Sequence, residues 1–318
     1  MVFMLTLSLG IFVMLMSKTW FSVWLGLEMN LLSFLPMILL SSSTSSEGGL
    51  KYFLIQALGS LLILQTSFSW SLIPLPYLFF TVPLLLKLGA APLHFWLPGV
   101  AKTLTWRMNM ILLTVQKTGP LYLLATVSAT HTLPLIIISM FSTIIGALGG
   151  LNEMDLRKLL AFSSINHMGW MMVGMTLTQT HWVLYFMTYI ITSLSLIMSL
   201  NSMNILSLNQ LLPKGKNNML IMLLLLSLGG FPPLLGFAPK WAILMSSVSL
   251  SLPLSFLLIT MSMVTLYYYI RTGLVSLTFK KTDVKLNLPG SSKPQTLLAF
   301  INVAGGLLYM FMWSSLTL

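Results

Sequence analysis

Residues 83–92 read PLLLKLGAAP, which puts a lysine, a glycine and a proline inside an apolar run near 74–97. A run of that length can cross a bilayer as a helix, but Gly89 and Pro92 are residue types that interrupt helices. An ammonium group is costly in hydrocarbon, so Lys87 must face a protein interior or water. The stretch predicts a membrane helix that is broken beside a buried lysine.

Composition extends this reading to the whole chain. Of 318 residues, 57% are hydrophobic and only 7% are charged, whereas a water-soluble protein needs far more charge on its surface. The chain has no cysteine, which excludes disulfides, thiolate metal sites and cysteine-ligated iron–sulfur clusters. The sequence therefore predicts an all-α, polytopic transmembrane helix bundle without a cysteine-based redox centre.

Apolar runs of spanning length predict about eleven transmembrane helices in a single domain over 1–318. The polar stretches between them are short, and none could form a separate domain. The predicted spans lie near 2–16, 20–40, 52–70, 74–97, 107–128, 133–150, 158–177, 182–203, 219–246, 252–271 and 296–314.

Basic residues outside these spans fall almost entirely on one side of the membrane. Positive loops are retained in cytosol-like compartments, so that side is the inner one and carries the N-terminus, while the C-terminus lies on the other side. Because this charge is spread over loop ends, it does not indicate a nucleic-acid surface. The opposite side carries Lys18, and the inner side carries Lys51, Lys102, Arg107, Arg157, Lys158, Lys214, Lys216, Arg271, Lys280, Lys281, Lys285 and Lys293.

Four charged residues fall inside predicted spans and away from the span ends: Glu28, Lys87, Lys117 and Lys240. Burial disfavours the charged form of a lysine, and a nearby carboxylate favours it, so a moving charge can load or unload a neighbouring proton site. A static ion pair between Glu28 and one lysine is the structural alternative. It explains three lysines beside one glutamate poorly, because two ammonium groups would lack a partner. The sequence therefore favours a proton relay.

Two of the lysines lie beside helix breakers, an arrangement typical of transporter sites. Residues 229–240 read GGFPPLLGFAPK and, like residues 89–92, contain Gly-x-Ala-Pro. The match pairs Gly89 with Gly236 and Pro92 with Pro239 in spans four and nine, which would have opposite orientation in the membrane. It therefore predicts an inverted repeat. The residues predicted to break helices are Pro92, Pro120, Pro232, Pro233 and Pro239.

Two further residues enter the predicted relay. Lys117 lies about halfway along span five, three residues before Pro120, which removes a backbone donor and loosens the turn. His94 follows Lys87 by seven residues, which predicts that both lie on one helix face, and an imidazole could carry a proton between lysines. A hydrogen-bonded packing role for His94 is the open alternative. No dinucleotide fingerprint, phosphate-binding loop or H-E-x-x-H metal site occurs in the sequence.

Several long strings resemble the family of antiporter-like subunit 2 proteins of animal mitochondrial NADH:ubiquinone oxidoreductase, respiratory complex I. They are WLGLEMNLLSFLP at 24–36, KLGAAPLHFWLP at 87–98, GGLNEMDLRKLLAFSSINHMGWMM at 149–172 and SLGGFPPLLGFAPKWAIL at 227–244. The resemblance implies two inverted five-helix repeats with broken helices at spans four and nine. It also implies a charged axis in which Glu28 and Lys87 interact, Lys117 is central and Lys240 lies in the second broken helix.

The resemblance further implies a multi-pass protein of the mitochondrial inner membrane, with its N-terminus in the matrix and its C-terminus in the intermembrane space. Its partners would be other membrane subunits and membrane lipids, with FMN, iron–sulfur clusters and ubiquinone in other subunits and no cofactor bound by this chain. The predicted function is proton translocation coupled to electron transfer from NADH to ubiquinone. A stand-alone cation/proton antiporter and a purely structural subunit are the alternatives.

Overall fold

A computed structural model describes residues 2–41, 45–68, 76–127, 132–211, 218–278 and 300–306. Within these ranges the regular structure is helical, which confirms the predicted all-α class. The chain divides into two compact units, Met1–Ser142 and Thr143–Leu318, and the boundary falls within one helix. The single domain over 1–318 stays a prediction.

The first unit is built from seven helices and the start of an eighth, in the part of it that the structure describes. Helix α1 contacts α2 and α7, α2 contacts α3, and α3 contacts both α4 and α5. Helix α4 also contacts α7. The helices are α1 Val2–Met16, α2 Trp20–Leu39, α3 Ser45–Phe68, α4 Pro76–Leu88, α5 Trp96–Thr103, α6 Trp106–Leu113, α7 Val115–Val127 and α8 Leu133–Gly149.

The second unit holds the remaining helices. Helix α9 contacts α10 and α12, α10 contacts α11 and α12, and α13 contacts α11 and α12. Residues 300–306 form a further helical segment. The helices are α9 Leu156–Leu177, α10 Gln179–Met203, α11 Asn218–Gly229, α12 Phe237–Ser247 and α13 Leu252–Thr278, with a 3₁₀ turn at Leu208–Leu211.

Five described helical stretches are long and apolar enough to cross a membrane by length and composition. Shorter apolar helices, such as α1 and α8, add to them. The count of eleven spans stays a prediction, and most of the eleventh, 296–314, lies outside the described residues. The five stretches are Trp20–Leu39, Ser45–Phe68, Trp106–Val127, Gln179–Met203 and Leu252–Val275.

Helix α3 shows how the helices suit a lipid environment. Leu50, Leu54 and Leu58 recur every four residues on its exposed face, and all three are more than half exposed. Gln56 and Ser60 are buried on the opposite face. A soluble helix has the reverse arrangement, since it hides its apolar stripe from water. The buried face of α3 is therefore polar, and this face contacts the neighbouring helices.

Candidate proton-relay site

The first helix break separates α4 from α5. Helix α4 ends at Leu88, and Gly89 follows it in the left-handed region with φ +69°. The Gly89 nitrogen donates to Leu86 O at 3.2 Å and the Ala90 nitrogen donates to Leu85 O at 3.1 Å. These two bonds are the Schellman arrangement, in which a left-handed glycine closes a helix and satisfies its last carbonyls. The Ala91–Pro92 peptide bond that follows is cis.

Side chains donate further hydrogen bonds to the carbonyls at the end of α4. The Gln56 amide donates from Nε2 to Lys87 O at 3.1 Å, and Trp96 Nε1 donates to Leu86 O at 3.0 Å. Backbone groups at a helix end inside a membrane need such partners because no bulk water reaches them. The break is therefore held by α3 on one side and by the first residue of α5 on the other.

The Lys87 side chain lies within this region and is only 6% exposed. Its ammonium donates to the backbone oxygen of Gln56 at 3.0 Å, so the two residues bond to each other in both directions. The stem of Lys87 passes Gly59, where an added Cβ would lie 2.9 Å from Lys87 Cγ. Glu28 is the acidic group whose charge acts on Lys87.

The predicted pair of Glu28 and Lys87 is close enough for electrostatic interaction but forms no direct ion pair within 4.0 Å among the described residues. Glu28 Oε2 is buried and has no hydrogen-bond partner in the described part of the chain. A buried carboxylate oxygen without a partner is costly. This geometry does not match the static ion pair that was the structural alternative.

Lys117 is 3% exposed and occupies the third position of α7. The helix is interrupted at Thr114, between α6 and α7, and not at Pro120, which lies inside α7. Lys117 and Lys87 line one cavity of about 10 Å³, together with Tyr52, Gln56 and Gln116. The structure therefore brings two of the three predicted lysines to the same polar space, and Glu28 acts on one of them.

The prediction that His94 shares a helix face with Lys87 is wrong. Helix α4 ends at Leu88, so His94 lies in the break and not two helical turns beyond Lys87 on the same face. Its Nδ1 is 3.2 Å from the Pro92 carbonyl oxygen, and its ring lies against that of Phe95. The spacing argument failed because it assumed a continuous helix, whereas the left-handed Gly89 ends the helix before residue 94.

The second helix break separates α11 from α12 and has the same construction. Helix α11 ends at Gly229, and Gly230 follows with φ +79°. The Gly230 nitrogen donates to Ser227 O at 3.0 Å and the Phe231 nitrogen donates to Leu226 O at 3.0 Å, a second Schellman arrangement. The Pro232–Pro233 peptide bond is cis.

The predicted pairing of the two Gly-x-Ala-Pro strings is therefore wrong in register. Gly236 has φ −67° and directly precedes α12, whereas Gly89 has a positive φ and follows α4. The glycine that corresponds to Gly89 by backbone geometry is Gly230. In this register Trp96 and Phe237 both begin the second half-helix, and Pro98 corresponds to Pro239.

The correct register puts the two lysines on different sides of their breaks. Lys87 lies in the last turn of the half-helix before the first break, and Lys240 lies in the first turn of the half-helix after the second break. Lys240 is 4% exposed, and its ammonium donates to Gly229 O at 2.8 Å. It thus satisfies the end of α11, where the helix dipole favours a cation. The Trp170 ring centroid is 5.8 Å from Nζ.

The helical segment 300–306 covers the second break. Asn302 accepts a hydrogen bond from Ser227 Oγ at 3.2 Å and donates one to Ser195 Oγ at 2.8 Å. Its backbone oxygen accepts from the Leu235 nitrogen at 3.1 Å. One asparagine therefore ties the break to helices α10 and α11.

His167 belongs to a polar cluster in the second unit that the sequence did not define. Its Nδ1 is 2.8 Å from the Tyr185 hydroxyl oxygen, and its ring centroid is 5.1 Å from that of Tyr189. These side chains line a cavity of about 10 Å³ that Pro239 also lines. In the ranges described, no cluster of three or more His, Asp or Glu side chains could hold a metal ion.

Sequence reasoning missed the neutral polar partners of the lysines. These are Tyr52, Gln56 and Gln116, which line the same cavity as Lys87 and Lys117. Asn302, which bonds to Ser227 and Ser195 beside the second break, was missed as well. The available signal was an amide or hydroxyl inside an otherwise apolar span, since such a group needs a partner in the membrane. Charge identified the lysines from the sequence. The carbonyls that need side-chain donors lie at helix ends, and the positions of those ends were not known from the sequence.

Comparison with known proteins gives concordant results. Residues 62–265 match the family model described as NADH:quinone oxidoreductase/Mrp antiporter, TM. The chain is 38% identical to NADH-ubiquinone oxidoreductase chain 2 of Aedes aegypti, over 95% of this chain and 93% of the relative. It is 36% identical to the chain of the same name from Locusta migratoria, over 85% and 83%.

A solved structure shares the fold. A chain of respiratory complex I from Thermus thermophilus with bound aureothin superposes with a TM-score of 0.86 at 23% identity, covering 96% of this chain and 77% of that one. A chain of the Mrp complex from Dietzia sp. DQ12-45-1b gives a TM-score of 0.82 at 14% identity, over 98% and 75%. By the family model and by its curated relatives, the chain belongs to the NADH-ubiquinone oxidoreductase chain 2 family.

Proposed function

We propose that the chain translocates protons as a core membrane subunit of mitochondrial NADH:ubiquinone oxidoreductase, and that Glu28, Lys87, Lys117 and Lys240 carry the protons. The observation that carries this proposal is that all three lysines are at most 6% exposed and lie beside helix interruptions. A buried ammonium has to interact with polar groups or lose its proton. A relay needs both the protonated and the deprotonated form of each lysine.

The chain is a multi-pass protein of the mitochondrial inner membrane and part of an oxidoreductase complex. Within it, we place the N-terminus in the matrix and the C-terminus in the intermembrane space, because the basic loops fall on the N-terminal side. The other membrane subunits and lipids are its proposed partners. Electron transfer through FMN, iron–sulfur clusters and ubiquinone is assigned to other subunits, and this chain is proposed to bind no redox cofactor.

The two breaks support an inverted repeat of five helices each. Both half-helices end in a left-handed glycine with the same pair of backbone hydrogen bonds, at Gly89 and Gly230. The second half-helix begins seven residues after each glycine. Matching geometry over this length is more specific than the four-residue string from which the repeat was first inferred.

In this proposal the relay is coupled to Glu28 through Lys87, and its direction is left open. Charge changes that arrive from neighbouring subunits alter the interaction between Glu28 and Lys87, and the proton then passes by way of Lys117 to Lys240 or in reverse. We give His94 no place in the sequence of transfers, because the one-face argument for it fails and its Nδ1 contacts the local backbone.

The stand-alone cation/proton antiporter is the second candidate, since the family model includes Mrp antiporters and a chain of an Mrp complex shares the fold. The names of the curated relatives favour the first candidate. Purification separates the two. A complex I subunit copurifies with partners that carry flavin and iron–sulfur centres, whereas an antiporter does not.

The test of the relay compares Lys87→Met, Lys117→Met and Lys240→Met in the assembled, reconstituted complex. Proton pumping and NADH:quinone turnover are measured side by side at equal complex content. We expect each variant to lower both rates together by at least about ten-fold, since a link in an obligatory chain is removed. Lys51→Met is the control, because Lys51 is exposed and pairs with Glu47. Wild-type pumping and turnover in all three variants would leave the lysines a packing role.

A further inference from the structure

The cavity beside α3, α4 and α7 has several polar side chains in its lining. These are Lys87, Lys117, Gln56, Tyr52 and Gln116. Its volume of about 10 Å³ matches the space that a single water needs. A water also needs two to four polar partners, and this lining offers two amides, a hydroxyl and two amines.

Gln116 is the residue in this lining whose hydrogen bonding is incomplete. Its Oε1 accepts from the Tyr52 hydroxyl at 3.3 Å, which leaves its Nε2 as a buried donor without a partner in the described part of the chain. A buried amide nitrogen in that state is costly unless a water completes it. Gln56, in contrast, uses its amide nitrogen on Lys87 O.

Gln116 connects the helix that carries Lys117 with α3. It immediately precedes Lys117 in α7, and through Tyr52 it reaches α3, the helix whose Gln56 carbonyl accepts from the Lys87 ammonium. Pro120 supplies no backbone hydrogen for the carbonyl four residues earlier, which is that of Gln116. The polar groups around this residue therefore point to a hydrated connection between two helices.

We propose that one water molecule, held by Gln116 and Tyr52, connects Lys87 with Lys117, and that Gln116 is the positioning residue of this link. The water accepts hydrogen bonds from Gln116 Nε2 and from the protonated lysine, and it donates to the Tyr52 oxygen and to the amine of the deprotonated lysine. A proton then moves from one lysine to the other through two short transfers instead of one long one. The inference rests on the proposed function, because it specifies one step of that relay.

The experiment uses the whole reconstituted complex with Gln116→Met, which keeps the side-chain length and removes the amide. Tyr52→Phe is the second variant. It removes the hydroxyl that bonds to Gln116 and tests the same link if Gln116→Met fails to assemble. Gln179→Met is the matched control, since Gln179 also accepts one hydrogen bond, from Trp182 Nε1 at 2.8 Å, outside the proposed relay. Turnover is measured in H₂O and D₂O, and electron density is examined at a resolution that shows ordered water.

We expect the wild-type map to show one water bonded to Gln116 and the Gln116→Met map to lack it. Turnover of the variant should fall about five-fold, the equivalent of one hydrogen bond, and the H₂O/D₂O rate ratio should rise. A packing defect would not raise that ratio. The absence of water in the wild-type map, or an unchanged turnover and rate ratio in Gln116→Met, would overturn the inference.

The lysine variants distinguish failure of this inference from failure of the proposed function. If Lys87→Met and Lys117→Met lose turnover while Gln116→Met and Tyr52→Phe keep it, the relay stands and the water link is wrong. If the lysine variants themselves keep wild-type pumping, the relay is wrong whatever the density shows.

Discussion

Gln56 and Lys87 are joined by two hydrogen bonds that run in opposite directions. The Gln56 amide donates to the Lys87 carbonyl oxygen at 3.1 Å, and the Lys87 ammonium donates to the Gln56 carbonyl oxygen at 3.0 Å. The first bond satisfies the end of a half-helix, and the second holds a cation at the middle of α3. The side-chain amide of Gln56 therefore holds the backbone of the first break, and the backbone carbonyl of the same residue holds its charge.

Gln56→Leu should consequently weaken the break without changing any charge. The Lys87 carbonyl would lose its side-chain donor, at a cost of about 1–3 kcal/mol, while the ammonium could still bond to the backbone of residue 56. We expect lower thermal stability of the purified complex and about five-fold lower turnover. Gln65→Leu, on the exposed face of the same helix, is the control. Equal behaviour of the two variants would show that the amide does not support the site.

Gly230→Ala tests how closely Lys240 lies against the second break. The new Cβ would meet Lys240 Cδ at 2.8 Å and Nζ at 3.0 Å, so the ammonium would have to move. The positive φ adds about 1–2 kcal/mol of backbone strain. We expect turnover on the order of ten-fold lower, because displacing a reacting group by about 1 Å is enough for such a loss.

Gly89→Ala separates the two effects, since φ there is +69° and the new Cβ would meet Leu97 Cδ1 at 2.9 Å. It shares the strain but displaces no lysine. Turnover equally reduced in both variants at equal complex content would mean that strain alone accounts for the Gly230→Ala result.

Asn302→Leu should loosen the contact between segment 300–306 and the second break. The change removes the acceptor for Ser227 and the donor to Ser195 while keeping the side-chain volume. We expect a loss of about 1–2 kcal/mol in stability, measured by thermal denaturation of the complex. Ser199→Ala is the control, because that hydroxyl bonds only within its helix, to Leu196 O at 2.7 Å. If Asn302→Leu is as stable as Ser199→Ala, the Asn302 side chain does not stabilise the second break.

The three lysines show which features of the site could be predicted from the sequence and which could not. Their burial followed from apolar context and the cost of charge in lipid, and Lys87, Lys117 and Lys240 are indeed among the most buried charged side chains described. Where their ammonium groups point did not follow. The direction of a side chain beside a break depends on which residue adopts a positive φ, and the sequence offers several glycines for that role.

The second break shows why the choice failed there. Gly229, Gly230 and Gly236 are all glycines near Pro232 and Pro233, and only Gly230 has a positive φ. The string Gly-x-Ala-Pro selected Gly236 because it resembled residues 89–92 by letters. Helix termination depends instead on backbone hydrogen bonds to the preceding turn, which letters do not record. Gln56 was missed for the same reason. Its amide donates to the Lys87 carbonyl, which needs a side-chain donor because the helix ends at Leu88.

Glu28→Gln decides between a coupling role and a packing role for the glutamate. Glu28 acts on Lys87 through its charge, and its Oε2 has no hydrogen-bond partner among the described residues. An amide of equal size keeps the packing and removes the charge, so a packing role predicts unchanged turnover. Coupling predicts turnover and pumping lower together on the order of ten-fold, within the usual range of coupling between sites. Glu28→Asp, which restores the charge on a shorter side chain, should recover part of the loss. Wild-type turnover in Glu28→Gln together with a defect in Glu28→Asp would indicate that size, and not charge, is what the site requires at residue 28.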